Sequence, residues 1–254
     1  MSPRAEPLQP PLHPAEEQLL EQLRDGALEL AGLMPWSSNY TFLGHIGVGA
    51  ERIVVIYKPI RGEQPLWDFP RGTLARRETA AYLVSRALRW NLVPPTVLRR
   101  GPHGLGSVQL FADADQNAHF FTFQHDPAYR HVLQALALFD IVCNNADRKA
   151  GHCLSLGPGR IVAIDQGLCF HVEPKLRTVI WDFAGQKLPA DLAADLKQLQ
   201  RALSTGDSTL VADLTELLSR AEIAGLRRRL AGLLEEGRFP NPPEDRRPYP
   251  WPLV

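Results

Sequence analysis

Asn144-Asn145-Ala146-Asp147-Arg148-Lys149-Ala150-Gly151-His152, followed after a short apolar run by Ala163-Ile164-Asp165-Gln166-Gly167, is the stretch whose reading decides the fold. Asp147 stands among polar residues just beyond the apolar run Leu133 to Cys143. Asp165 ends the apolar run Ile161 to Ile164, ahead of a glycine that frees the turn. Carboxylates delivered from element ends onto loops usually do chemistry rather than packing. Two such loops are set up to face one site.

The surrounding chain bounds what that site can be. At 254 residues with 44% apolar content, one or two domains with a packed core are expected. Lys plus Arg and Asp plus Glu both number 28, so no net field draws the protein to nucleic acid or to an anionic membrane. No apolar run approaches a membrane span and no basic-apolar leader opens the sequence, so a cytoplasmic location is the default expectation. Cys143, Cys153 and Cys169 form an odd set without C-x-x-C spacing. They read as small buried hydrophobes of a reducing compartment, with metal ligation by His152 and Cys153 as the alternative.

The element pattern changes near the middle of the chain. Residues 1–14, with five prolines, read as a disordered tail, and Glu16 to Leu33 as one amphipathic helix weakened at Gly26. Ser37 to Ile46 and Arg52 to Lys58 read as strands of a hairpin around Gly47-Val48-Gly49-Ala50. A helix starts near Thr73, whose hydroxyl can cap it, and carries Glu78. Asn91 to Leu98, Ser107 to Phe111 and His119 to Phe123 suggest further strands. From Tyr129 onward the pattern is helical, with a helix to Cys143 and others over Asp191 to Leu203, Ser208 to Ala221 and Ile223 to Glu236. Phe239 to Val254, with six prolines, reads as an extended surface tail. The tripeptide Trp-Asp-Phe occurs at Trp67 and again at Trp181, and both tryptophans read as packing anchors.

A β-rich first part with a strand lysine and a helix glutamate, then a helical part with two loop aspartates, is the parts list of a two-lobed kinase. The fold class expected is α+β, protein-kinase-like. The expected division is 15–111 for the N-lobe and 112–238 for the C-lobe, flanked by tails 1–14 and 239–254. Phosphoryl transfer needs a fixed cation, a bound metal and a residue that orients the nucleophile, and Lys58, Asp165 and Asp147 fit these roles. Each residue alone is a weak signal. Their order along the chain supplies the specificity.

Ser37-Ser38-Asn39-Tyr40-Thr41-Phe42, Val55-Ile56-Tyr57-Lys58-Pro59, Glu78 through Leu92-Val93-Pro94, Asn145-Ala146-Asp147-Arg148 and Ala163-Ile164-Asp165-Gln166-Gly167-Leu168 together resemble the phosphatidylinositol 3-/4-kinase-like family. The likeness is to its compact bacterial branch, similar to the type II phosphatidylinositol 4-kinases. Asp147-Arg148 has that family's Asp-before-Arg order. The resemblance implies an ATP- and metal-dependent transfer of the γ-phosphoryl group to a hydroxyl. Ser37, Ser38 and Asn39 would cover the phosphates, displacing Gly47 to Gly49, which has the composition of a phosphate loop but lies at the hairpin tip. Lys58 would contact the α- and β-phosphates, oriented by Glu78, and Gln109, Leu110 and Phe111 would carry the adenine. Asp165 would hold Mg2+ or Mn2+ and Asp147 would receive the acceptor. The family's second metal ligand is an asparagine; His152 stands there, and imidazole suits softer ions than magnesium. Arg148, Lys149, Lys175 and Arg177 would suit an anionic acceptor or neutralise nearby carboxylates.

The acceptor reads as a phosphoinositide, a protein or a small molecule, and transfer of adenylate from the same fold is a further alternative. A nucleotide-binding pseudokinase without turnover is a reading of another class, with His152 as its sign. A metallohydrolase built on Asp147, His152 and Asp165 would leave Lys58 and Glu78 without a role.

Overall fold

The computed structural model describes residues 6–34, 39–49, 52–205 and 208–254. Strand β3 (Ile53–Pro59) shows how the sequence sets the architecture. Val55 and Tyr57 are fully buried on one face, while Ile56 and Lys58 alternate onto the other and remain partly open. The strand therefore supplies core and cleft at once. It lies at the centre of a five-stranded antiparallel sheet of order β1-β2-β3-β5-β4, with β1 Leu28–Leu33, β2 Phe42–Ile46, β4 Thr96–Gly101 and β5 Gly104–Leu110. A Cβ on Gly106 would sit 2.5 Å from the Lys58 carbonyl oxygen, so the pairing that fixes the height of Lys58 requires glycine there.

Helix α1 (Glu16–Asp25) buries Leu19, Leu20 and Leu23 and stops at Gly26. The expected helix to Leu33 is thus corrected: Leu28 and Leu30 alternate with exposed neighbours as strand β1. Gly26 is extended at ψ 149°, and a Cβ there would meet Ile46 Cγ2 and the Gln22 carbonyl. Helix α2 (Leu74–Ala87) is buried on most of its circumference, between β4 and β5 on one side and a C-terminal helix on the other. Thr73 precedes it as expected but does not cap it. Its hydroxyl donates to the Pro70 carbonyl, and Glu63 accepts from the Ala75 N–H instead (3.0 Å), placing a carboxylate at the positive end of the helix.

The second half contains a small antiparallel sheet, β6 (Asp115–His119), β7 (Cys153–Ser155) and β8 (Ile161–Ala163), and the helices α3 (Phe120–Phe123), α4 (Arg130–Cys143), α5 (Ala190–Ser204), α6 (Thr209–Leu217) and α7 (Arg220–Glu236). Phe120 to Phe123, expected as a strand, is one helical turn, because Phe120 and Phe123 at i, i+3 are both buried. No helix among the described residues is long and apolar enough to cross a membrane.

The leading segment is also corrected from the sequence expectation. Residues 6–14 are anchored through Gln9, 5% exposed, whose amide donates to the carbonyls of Asn91 and Ile161 (both 2.8 Å) and accepts from the Ile161 N–H (3.1 Å). A side-chain amide carries the same donor and acceptor as a peptide, so one buried glutamine pairs like strand backbone. The chain after Phe239 is extended and lies against the second half. Its Pro248 carbonyl accepts from Thr178 N (3.0 Å), and its Leu253 carbonyl accepts from Ala150 N (2.8 Å).

Candidate active site

The cleft-facing side of β3 delivers Lys58 to two carboxylates. Its ammonium lies 2.6 Å from Glu78 Oε1, from α2, and 3.2 Å from Asp165 Oδ1, from the loop after β8. The second Glu78 oxygen accepts from the Gln166 N–H (2.9 Å), so α2 also grips the loop that carries Asp165. Asp165 has φ 59°, a left-handed conformation that Asp tolerates better than most residues and that Gly167 follows. Burial acts to lower the Lys58 pKa, but Asp165 and Glu78 outweigh it and hold the ammonium above its ordinary value. The Lys58 charge in turn holds Asp165 well below the usual carboxylate range, against the opposing effect of burial. The Lys58–Asp165 pair is therefore ionised.

Asp147 follows α4, whose end is set by Asn144 in a left-handed C-cap at φ 55°. Its N–H donates to Asn145 Oδ1 (2.9 Å), and Lys149 Nζ lies 3.6 Å from its carboxylate. Burial pushes the Asp147 pKa up to about 6, with Lys149 opposing and Asp165 adding to the rise. His152 is drawn down to about 4 by burial, against the pull of Asp165, and is neutral. Its Nδ1 lies 2.9 Å from the Asp147 carbonyl, which can only accept, and 3.4 Å from the Lys149 N–H; the shorter contact favours the tautomer with the proton on Nδ1. The Nε2 lone pair then faces Asp165 Oδ2 at 3.5 Å.

Two electron-pair donors facing each other at that distance fit a cation placed between them, one oxygen and one imidazole nitrogen. Among the described residues no group of three or more His, Cys, Asp or Glu could hold a metal. The remaining ligands would be phosphate oxygens and water, the usual arrangement for Mg2+ at nucleotide sites. The cysteines are free and buried, and burial pushes Cys153 up to about 12, so it offers no thiolate beside His152.

Two cavities meet at Lys58 and Asp165. One of about 250 Å3 has walls that include Ile56, Leu110, Phe111, Leu154 and Ile164, with Gln109, whose amide is tied to Thr96 Oγ1 (2.8 Å), on its lining. The other, of about 450 Å3, brings Asn39, Glu63, Glu78 and Asp147 together with Tyr40, Leu66, Leu74 and Leu168. Asn39 Oδ1 accepts from Gln64 N (2.7 Å), while Ser37 and Ser38 lie outside the described residues.

Arg148 is the site assignment that the geometry corrects. It is completely buried and lines neither cavity. It forms a salt bridge with Asp140 (3.0 Å) and donates to Gln166 Oε1 (2.8 Å) and to the Ile164 carbonyl (2.9 Å). Arg148 ties the Asp147 loop to the Asp165 loop. The one signal for this was Asp140, a lone acid inside the apolar run Leu133 to Cys143. Arg148→Met leaves the Asp140 carboxylate buried and unpaired, and is expected to cost about 3–5 kcal/mol in urea unfolding, part of which Asp140→Leu should restore. A loss below about 1 kcal/mol would contradict this role.

Lys175 is likewise engaged, 3.0 Å from Asp68 and 4.9 Å from the centroid of the Trp67 ring. Trp67 itself is 91% exposed and is no packing anchor; Phe69 occupies the core in its place. Glu63, Gln64 and Leu66, from the segment between β3 and α2, line the larger cavity without any sequence signal for it.

No family model matches the chain. Solved structures share its fold. A hydra Fam20 structure with sugar superposes with a TM-score of 0.57 at 14% identity, covering 87% of each chain. The Golgi casein kinase with Mn and ADP bound gives 0.52 at 15% identity, over 87% of this chain and 75% of that one. The antiparallel first half and helical second half are therefore those of a kinase fold. In sequence, phosphatidylinositol 4-kinase gamma 4 of rice (Oryza sativa subsp. japonica) is 29% identical over 155 residues, 47% of this chain but 27% of that protein. That match supports a kinase-like family without assigning the phosphatidylinositol branch. Protein Rv2133c of Mycobacterium tuberculosis matches nearly end to end, 39% identical over 263 residues that span 91% of this chain and 93% of the relative, and the chain belongs to its family.

Proposed function

We propose that the protein is an ATP- and metal-dependent phosphotransferase that moves the γ-phosphoryl group to a hydroxyl. The observation that carries this reading is Lys58, held at once by Glu78 (2.6 Å) and Asp165 (3.2 Å) at the junction of two cavities, with Asp147 lining the larger. The smaller cavity, walled by Ile56, Leu110 and Leu154, suits a planar base. Phosphates leaving it meet Lys58, whose fixed charge offsets theirs without reorganisation. A metal on Asp165 and His152 would neutralise charge on the non-bridging oxygens. Asp147 orients the acceptor hydroxyl and takes its proton. We assign 15–111 to the N-lobe and 112–238 to the C-lobe.

A small neutral or cationic acceptor is favoured over an anionic headgroup by one observation. Arg148, Lys149 and Lys175, three of the four basic residues that could meet an anionic acceptor, are committed to carboxylates, while Glu63 and Asp147 line the larger cavity. The test is incubation with γ-labelled ATP and Mg2+ or Mn2+, offering phosphatidylinositol vesicles, protein and small-molecule fractions as acceptors. Label should pass to an acceptor and depend on Asp147. Absence of ATP binding would sink the proposal, and binding without transfer would leave a nucleotide sensor.

A further inference from the structure

We infer that Arg77 and Glu222 form a latch that fixes helix α2 in the orientation where Glu78 meets Lys58, which makes Arg77 a positioning residue. This rests on the phosphotransfer reading of the site. Arg77 is 1% exposed and adjoins Glu78 in α2. Its guanidinium is bound from three directions. One nitrogen pairs with the Glu222 carboxylate, a second donates to the Cys169 carbonyl, and Nε donates to Thr73 Oγ1 (3.2 Å). The Phe69 ring lies beneath it, its centroid 5.0 Å from the guanidinium carbon.

Glu222 is itself held still. Its other oxygen accepts from Ser219 N and Ser219 Oγ (both 2.8 Å) in the capping box of α7. A helix from the second half thus presents a pre-oriented carboxylate to a helix of the first. Arg76 adds a second tie, donating to the Glu216 carbonyl (2.9 Å) at the end of α6.

Consecutive α2 residues grip one loop at two points, Glu78 at Gln166 N and Arg77 at the Cys169 carbonyl. Side chains at adjacent helical positions diverge by about 100° around the axis. A rotation that withdraws Glu78 from Lys58 therefore drags Arg77 out of its pocket and strands two buried charges. The C-terminal helices, rather than the nucleotide, set the position of α2, and the Lys58–Glu78 pair is assembled in advance.

The test is a double-mutant cycle on the full chain, read as steady-state ATP turnover with Mg2+ or Mn2+, water serving as acceptor. Glu222→Gln is the cleaner partner variant, because glutamine can keep the Ser219 capping box while removing the charge. Arg77→Met and Glu222→Gln should each lower kcat tenfold or more, with Arg77→Lys recovering part of the loss. In a Glu78→Gln background the same changes should lower kcat less than twofold, because they act through Glu78. Equal losses in both backgrounds, or no loss in the parent, would overturn the latch. If the parent hydrolyses no ATP, the phosphotransfer reading is left to the labelled-ATP acceptor assay and amide exchange decides the latch. Exchange over residues 74–87 must then quicken at least tenfold in Glu222→Gln, and unchanged exchange refutes it.

Discussion

Asp165→Asn is expected to abolish phosphoryl transfer while leaving the fold intact. Asparagine tolerates the left-handed backbone at this position (φ 59°), so the change removes charge and little else. The charge is what the site needs, since Asp165 is both a partner of Lys58 (3.2 Å) and one of two proposed metal ligands. Losing metal stabilisation of the transition state is worth several kcal/mol, or roughly a 100- to 10,000-fold fall in kcat. Nucleotide affinity should weaken when measured with metal and change little without it. Because Lys58 holds the Asp165 pKa down, its contribution to stability is present above the unfolded carboxylate pKa of about 3.9 and fades as pH falls through the folded value. The stability gap between parent and variant should therefore narrow in acid. A variant retaining more than about a tenth of parental transfer would disprove the assignment.

Asp147→Asn should show the second large effect, a fall of roughly 100- to 10,000-fold in transfer with ATP affinity nearly unchanged. The two residues thereby separate, one acting on metal and nucleotide and the other on the acceptor. Burial sets the Asp147 pKa near 6, so the parent rate should rise through about pH 6 and level off above it. Only the ionised carboxylate can take the hydroxyl proton. Lys149, 3.6 Å from that carboxylate, lowers its pKa, so Lys149→Met should move the acidic limb upward. A limb that does not respond to Lys149, or that persists in Asp147→Asn, would assign the ionisation elsewhere.

The chemistry-bearing residues were legible through their joint order along the chain, since each charge alone at an element end is a weak signal. Lys58 ends an apolar strand, and Asp147 and Asp165 each follow an apolar run, so their order along the chain told of one cleft. Arg148 was not legible in the same way. It adjoins Asp147 in a loop, where no periodicity says which neighbour faces inward, and its burial depends on Asp140 arriving from α4. Arg77 and Glu222, 145 positions apart, meet only once two helices have packed. The boundary at Gly26 was visible as a weak point, but Leu28, Leu30 and Leu33 fit a helical stripe and a strand alternation about equally. Pairing of β1 with β2 decided it. Five prolines hid Gln9, because composition describes a segment and one buried amide can fix it.

That amide also guards against self-association. β8 is an outer strand of its three-stranded sheet, and Gln9 covers the Ile161 N–H and carbonyl while the Leu92 carbonyl takes the Ala163 N–H. Trimming the proline-rich leader as dispensable would bare part of an apolar strand edge, the template on which a second molecule can add its own strand. The strand so exposed is the one that runs directly into Asp165, and a shortened protein would lose solubility and the placement of Asp165 beside Lys58 through the same few hydrogen bonds.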